Sequence, residues 1–232
     1  MAKVDYQFSY AIKKQRNFKL FTNIIFVVFL IAFVTILLNF VLFPVRQTSI
    51  SMNPDLPENS FAMISKIGKN FQRGDVVLIQ NQNEKPESKL KAITNSAVSF
   101  ITGQQIDISN RNSNPALNEK IRRIVGMPGD TFYMRDYVLY IKPKGEKHFL
   151  TEFEISKKSY NVSFLMPPSG WDSSIGVAGS FDEITLKENE YFVLSDMRIS
   201  SDDSRLWGAI TNKNIKGKIL FSYFPVSKFK FF

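Results

Sequence analysis

Residues 20–43 read LFTNIIFVVFLIAFVTILLNFVLF and contain no charged side chain. The run is 24 residues long, and a helix of about 20 apolar residues crosses a bilayer. A buried core helix is seldom this long and this uniformly apolar. A cleaved signal peptide would have a shorter apolar region followed by a small-x-small cleavage site, which is not present here. The sequence therefore predicts a transmembrane helix over residues 20–43.

The charges on either side of this run predict its orientation. Only Arg46 lies close behind it, whereas five basic residues precede it: Lys3, Lys13, Lys14, Arg16 and Lys19. Positive flanks stay on the cytoplasmic side of a membrane. We expect residues 1–19 to be a cytoplasmic segment and residues 44–232 to form an extracytoplasmic domain, anchored by a single pass in the cell (cytoplasmic or inner) membrane.

Composition excludes several kinds of chemistry. The 232 residues include no cysteine and one histidine, His148. Disulfides, thiol nucleophiles, thiolate metal sites and any mechanism that needs two histidines are thus excluded. We expect no metal and no cofactor. The net charge of +9 suits nucleic acid or anionic lipid, and the predicted anchor favours the lipid bilayer as partner over nucleic acid.

The chain after the anchor is typical of a β-rich domain. Short β-branched or aromatic runs are separated by turn residues, as in residues 60–66, 73–80, 119–126, 191–194 and 217–224. Residues 81–118 and 143–190 are polar excursions, with part of 97–108 a possible strand. No helical periodicity follows the anchor. The predicted fold is mainly β, with one N-terminal transmembrane helix and an antiparallel all-β domain.

Four motifs in this domain carry a resemblance to a known family. They are Ser51-Met52-x-Pro54-x-Leu56, Arg73-Gly74-Asp75-Val76-Val77, Arg123-x-Val125-Gly126-x-Pro128-Gly129-Asp130 and Ser201-x-Asp203-Ser204-Arg205-x-Trp207-Gly208. In type and order, behind a correctly oriented anchor, they resemble the boxes of type I signal peptidases. These are membrane-anchored Ser/Lys endopeptidases that remove signal peptides from exported proteins.

The resemblance implies roles for individual residues. Ser51 stands at the position of the nucleophile. Ser49, together with the backbone amide of Ser51, matches the oxyanion hole. Ser201 matches the hydroxyl that orients the general base, and Asp203 and Arg205 match a structural ion pair beside the site.

The sequence departs from the family at the general base. The family has its catalytic lysine immediately before the arginine of the third motif, and this chain has Arg122 there. A buried lysine can be neutral and accept the proton of a serine, whereas arginine stays protonated in proteins. Ser195 also replaces a glycine that the family usually has at the start of its last box.

Two other residues are candidates for the base. Lys120 lies two positions before Arg122, so in a strand both side chains point to the same face, about 6–7 Å apart. Proton transfer needs a separation of about 2.6–3.2 Å or one bridging water. His148 is a weaker candidate because it lies beside Lys147 in a polar excursion.

The four motifs and the arginine at the base position support two different functions. The first is a signal peptidase I-like serine endopeptidase whose partners are the signal peptides of exported preproteins, with small residues at the first and third positions before the cut. The alternative is a catalytically impaired homologue that acts as a membrane-bound assembly factor or chaperone for exported proteins. We also expect an apolar loop tip at Trp171 to rest on lipid.

Overall fold

A computed structural model describes residues 2–68, 70–80, 119–163, 179–199 and 202–232. The chain divides into two compact units, residues 1–41 and residues 42–232. The first unit is a single helix, α1 (Ala2–Phe40). Its Lys13–Val34 segment is long and apolar enough to cross a membrane, and its side chains are exposed.

The helix ends before the predicted limit of the transmembrane span. The apolar run continues to Phe43, but the helix ends at Phe40 and Leu42 and Phe43 belong to the first strand. Pro44 explains the difference, because a residue that precedes proline is disfavoured in the helical conformation. Leu42 and Phe43 instead pair with Ser65 and Ile64 in the neighbouring strand.

The larger sheet of the second unit is antiparallel throughout the described residues. Its strand order is β1-β2-β11-β3-β4-β9-β10, and β12 pairs with β11. The strands are β1 (Leu42–Arg46), β2 (Phe61–Ser65), β3 (Val76–Gln80), β4 (Glu119–Gly126), β9 (Glu190–Leu194), β10 (Ile210–Thr211), β11 (Ile215–Phe224) and β12 (Lys230–Phe231). The strands predicted within residues 60–66, 73–80, 119–126, 191–194 and 217–224 lie in this sheet.

A smaller antiparallel sheet has the order β7-β6-β5-β8. It comprises β5 (Thr131–Arg135), β6 (Val138–Lys142), β7 (Leu150–Thr151) and β8 (Phe181–Thr185). Two one-turn helices, α2 (Glu152–Ile155) and α3 (Ser204–Trp207), complete the regular elements together with 3-10 turns at Ile50–Met52, Asn212–Asn214 and Val226–Lys228. The predicted fold class, mainly β with one N-terminal helix, is confirmed.

Residues 143–190 contain more structure than a polar excursion. They include β7, α2 and β8. The helix α2 begins with a capping box, in which Thr151 and Glu154 satisfy each other's backbone and side-chain groups. Such a helix is only one turn long, too short to show an apolar period in the sequence. The possible strand within residues 97–108 lies outside the described residues.

The hydrophobic core holds the segment that carries Ser51. Met52 and Leu56, both fully buried, pack with residues of β2, β3, β4 and β11 in one cluster: Ala62, Ile64, Val76, Leu78, Ile121 and Ile219. Met52 is the residue directly after the predicted nucleophile. Its burial therefore fixes the Ser51 backbone against the face of the larger sheet.

Candidate active site

Ser51 lies in a 3-10 turn between two packed segments. The turn Ile50–Met52 is closed by the Asn53 N–H, which donates to the Ile50 carbonyl at 3.0 Å. The carbonyl of Ser51 accepts a hydrogen bond from the Met197 N–H at 2.9 Å. Only 5% of Ser51 is exposed. The backbone therefore holds this serine in one position, beside the chain that follows β9.

Arg122 brings its guanidinium directly to the serine. It projects from β4, and Nη1 donates to Ser51 Oγ at 2.9 Å and to the Ile121 carbonyl at 2.6 Å. Nε and Nη2 both donate to the Asp202 carbonyl, at 3.0 and 2.6 Å. The structure thus places the residue at the family's base position in contact with Ser51, the predicted nucleophile.

The charge of Arg122 sets what it can do. Burial lowers the pKa of its guanidinium, and the carboxylates of Asp203 and Asp202 oppose this shift. Arginine nevertheless remains protonated in folded proteins. Arg122 can therefore stabilise a negative charge on Ser51 Oγ, but it cannot accept the serine proton.

Lys120 makes a different contact. Its ammonium forms an ion pair and hydrogen bond with the carboxylate of Asp202. The two side chains of β4 share a face, as expected, and each interacts with Asp202: Lys120 with the carboxylate and Arg122 with the main-chain carbonyl. Within the described part of the chain, the side chains that hydrogen-bond to Ser51 Oγ do not include Lys120. His148 is exposed between β6 and β7, also without such a bond.

Two further side chains contact the serine hydroxyl. Ser49 Oγ lies 2.9 Å from Ser51 Oγ. Gln47 Nε2 donates to Ser51 Oγ at 3.1 Å, to the Ser49 carbonyl at 2.8 Å and weakly to Ser49 Oγ at 3.3 Å. Ser49 was predicted from the resemblance, whereas Gln47 was not. Its only signal in the sequence is a polar residue four positions before the nucleophile.

The supporting residues predicted beside the site are Ser201, Asp203 and Arg205. Arg205 donates to Asp203 from Nη2 at 2.8 Å and from Nε at 2.9 Å, so the two form a two-point ion pair. Burial alone would raise the pKa of the Asp203 carboxyl, but the hydrogen bonds from Arg205 and from the Ser195 N–H hold it below its usual value. Ser201 lies outside the described residues.

Ser195 makes a contact that a glycine would lack. Its hydroxyl lies 3.0 Å from the Asp203 carboxylate and 2.8 Å from the Met197 carbonyl. The added side chain therefore interacts with the ion pair and with the segment that binds the Ser51 carbonyl.

Arg123, next to Arg122 on β4, joins three of the motif segments. Its Nε and Nη2 donate to the two carboxylate oxygens of Asp196 at 2.8 and 2.6 Å, and Nη2 also reaches Asp55 at 3.3 Å. Asp55 belongs to the nucleophile segment and Asp196 follows β9. A planar guanidinium suits such a two-point bond, so this buried group holds β4, the Ser51 segment and the segment after β9 in register.

Comparison with known proteins identifies the family of this chain. The model of the family described as signal peptidase, peptidase S26, matches residues 20–224. Signal peptidase I of Bacillus licheniformis is 30% identical over 112 residues, which cover 47% of this chain and 53% of that protein. Signal peptidase I P of Bacillus subtilis subsp. natto is 26% identical over 196 residues, 83% of this chain and 82% of that protein.

A solved structure is more distant. A crystal structure of a signal peptidase I from Enterococcus faecalis V583 is 21% identical and covers 64% of this chain and 96% of its own, with a TM-score of 0.32. A score this low carries no information about the site. The family match extends from the N-terminal helix through β11 and includes all four motifs. This chain therefore belongs to the signal peptidase family, peptidase S26, a family of serine endopeptidases.

Proposed function

We propose that this chain is a membrane-anchored signal peptidase I that cuts signal peptides from exported preproteins, with Ser51 as the nucleophile. One observation carries the proposal: a nearly buried serine, at the family's nucleophile position, receives a hydrogen bond from the cationic side chain at the family's base position. The chemistry is acyl transfer. Ser51 Oγ attacks the peptide carbonyl, an ester forms, and water hydrolyses it.

The groups around Ser51 suit the charges that develop in this reaction. The Arg122 cation and the Gln47 amide both donate to Oγ, so an alkoxide there is stabilised relative to a free serine. Donors that are already oriented toward this oxygen need no reorganisation when it becomes charged. By family resemblance, Ser49 and the Ser51 amide would hold the carbonyl oxygen of the substrate, and small residues would precede the cut.

The alternative is a homologue that binds exported chains without cutting them. Arg122 supports it, because a guanidinium cannot accept the serine proton. The named relatives are all signal peptidases, and no comparison supports the alternative. The two functions predict opposite outcomes in a cleavage assay.

The assay uses the full chain in detergent and a preprotein substrate. We expect a slow cut at the end of the signal peptide, identified by the N-terminal sequence of the product. Ser51→Ala should abolish it, and Thr48→Ala serves as a control for a change nearby in the exposed part of the same segment. An inert wild-type chain, or a cut that persists in Ser51→Ala, would overturn the proposal.

We also propose that the helix spans the cell membrane with residues 1–19 in the cytoplasm, and that the outer domain rests on lipid. The support is a group of exposed apolar side chains near the C-terminus, here named the C-terminal aromatic surface: Phe221, Phe224, Val226, Phe229 and Phe231. Four of them are highly exposed, Phe224 at 52%, Val226 at 78%, Phe229 at 52% and Phe231 at 71%. Contiguous exposed apolar groups of this kind mark contact surfaces.

The apolar, aromatic composition of this surface favours lipid as its partner. Its rings contact one another across β11 and β12, with Phe229 5.2 Å from Phe231 and 6.0 Å from Phe221 between centroids. The predicted lipid contact at Trp171 lies outside the described residues.

Photo-crosslinking in the reconstituted full chain tests this contact. We expect benzoylphenylalanine in place of Phe229 to form lipid adducts. The same probe in place of Ile184, which is 44% exposed on β8 of the smaller sheet, is the matched control. Equal adduct yields at the two positions would contradict a lipid contact at the C-terminal aromatic surface.

A further inference from the structure

The hydrogen bonds of Ser51 have assignable directions. A hydroxyl oxygen accepts two hydrogen bonds and donates one. Arg122 can only donate, and it takes one lone pair of Ser51 Oγ. The orientation of the Gln47 amide is set by the Ser49 carbonyl, which is an acceptor and must face Nε2 at 2.8 Å rather than the amide oxygen. Gln47 therefore also donates to Ser51 Oγ.

Both lone pairs of Ser51 Oγ are thus occupied by N–H donors. Among the described residues, the remaining contact of Ser51 Oγ is Ser49 Oγ at 2.9 Å, which is then the acceptor of the Ser51 proton. Ser49 is exposed, whereas Ser51 is nearly buried. The hydroxyl proton of the buried serine consequently points along a two-serine path toward solvent.

We propose that Ser49 receives the Ser51 proton and passes its own proton to solvent hydroxide, so that it still carries one proton to donate to the carbonyl oxygen of the substrate, and that Gln47 is the positioning residue that sets this direction. The inference rests on the proposed function only in taking Ser51 as the nucleophile. It assigns the proton transfer to side chains in contact with the nucleophile, in a site where the family position of the base holds an arginine.

The O–H bond of Ser51 breaks as its proton bonds to Ser49 Oγ, and the original Ser49 proton joins a hydroxide ion to form water. The Ser51 alkoxide forms a bond to the acyl carbon. With a peptide, the C–N bond breaks and the nitrogen leaves with that electron pair and a proton from water, which regenerates hydroxide; with a p-nitrophenyl ester, the C–O bond breaks and p-nitrophenolate leaves with the electron pair. Arg122 stays protonated throughout and donates to the alkoxide until the ester forms.

The charged groups around the serine predict the pH dependence of this step. Arg122 faces it from β4 and keeps its charge. Asp202 and Asp203 lie beyond the guanidinium, and Lys120 is paired with Asp202. With hydroxide as the final acceptor, the rate of Ser51 acylation should rise about tenfold per pH unit, without the plateau that a side-chain base produces above its pKa.

The test measures acylation of Ser51 by p-nitrophenyl acetate in the full chain in detergent, with the modified residue identified by peptide mapping. We expect a log-linear rise from about pH 6 to about pH 10. Ser49→Ala should lower the rate by roughly tenfold or more, since general acid–base groups contribute about 10²–10⁴-fold. Ser49→Thr keeps the hydroxyl and should retain most of the rate.

Two variants of Gln47 test its role separately. Gln47→Glu replaces a donor to Ser51 Oγ with a carboxylate that can accept its proton. We expect the pH profile of this variant to level off above the pKa of that carboxyl group. Gln47→Met, which only removes the donor, should lower the rate several-fold and keep the slope. An unchanged slope in Gln47→Glu would overturn the role of Gln47.

Two results would overturn the relay. One is a plateau in the wild-type profile that Lys120→Ala removes, which would identify an amine as the base. The other is an unchanged rate in Ser49→Ala. A wild-type chain that leaves preprotein uncut but shows the expected ester profile would refute the proposed function and support the relay.

Discussion

Arg122→Lys tests the chemical consequence of the family departure. A lysine on the same buried position of β4 can lose its proton, because burial lowers the pKa of an ammonium group. A positioned general base contributes about 10²–10⁴-fold to a rate. We therefore expect the variant to cut preprotein about 10²-fold faster than wild type or more. Its rate should rise with pH and level off above the pKa of the new lysine.

The same substitution should lower stability. Arg122 makes two hydrogen bonds to the Asp202 carbonyl, at 3.0 and 2.6 Å, besides the bond to Ser51. One ammonium cannot replace both. Hydrogen bonds to charged groups contribute about 1.5–3 kcal/mol each, so the free energy of unfolding should fall by about 2–4 kcal/mol.

The assay compares rates at equal amounts of folded protein, established by chemical denaturation. Arg122→Met is the matched control, since it loses the same bonds to Asp202 and supplies no base. We expect this control to be slower than wild type. A folded Arg122→Lys variant that cuts preprotein no faster than wild type would contradict this prediction. It would show that a proton acceptor at residue 122 is not the only group that the site lacks.

Three further predictions concern the surroundings of the site. Glu152→Gln removes the charged partner of the fully buried Arg198, which lies 2.6 Å away. The free energy of unfolding, measured by urea denaturation, should fall by about 3–5 kcal/mol, and an unchanged value would contradict a charged pair. Because the pKa of Asp203 is depressed, its stabilising contribution is present above the ordinary carboxyl pKa and is lost as pH falls through the depressed value. Asp203→Asn should be less stable at pH 7 and should vary less in stability between about pH 5 and about pH 2, and parallel curves for the two proteins would contradict this. Lys120→Ala should cut preprotein within about threefold of wild type because Lys120 pairs with Asp202; complete loss of cutting would show that Lys120 is the base after all.

The strands were predictable because their signals are local. Runs such as Val76–Gln80 and Tyr191–Leu194 combine β-branched or aromatic residues with flanking turn residues, and they lie in β3 and β9. The end of the helix was not predictable from hydropathy alone. The apolar run continues through Phe43 and includes both the end of the helix and the start of β1. Only Pro44 indicates where the helix gives way to the strand.

The residues that form the site could be predicted from the sequence better than the hydrogen bonds between them. The period of a strand places Lys120 and Arg122 on one face. Which of them reaches the serine depends on Asp202, which lies 82 positions after Lys120 and 80 positions after Arg122. The contribution of Gln47 depends on the 3-10 turn at Ile50–Met52, which folds the chain back so that side chains four residues apart meet. Neither contact has a local signature.

The most direct test of Ser51 as the nucleophile of a peptidase is detection of its acyl intermediate. A preprotein is mixed with excess full-length chain and quenched in acid, and the peptide that contains Ser51 is examined by mass spectrometry. We expect an ester between Ser51 and the carboxyl end of the signal peptide, absent in Ser51→Ala. Processed preprotein that accumulates without this ester, or with the ester on another residue, would contradict it.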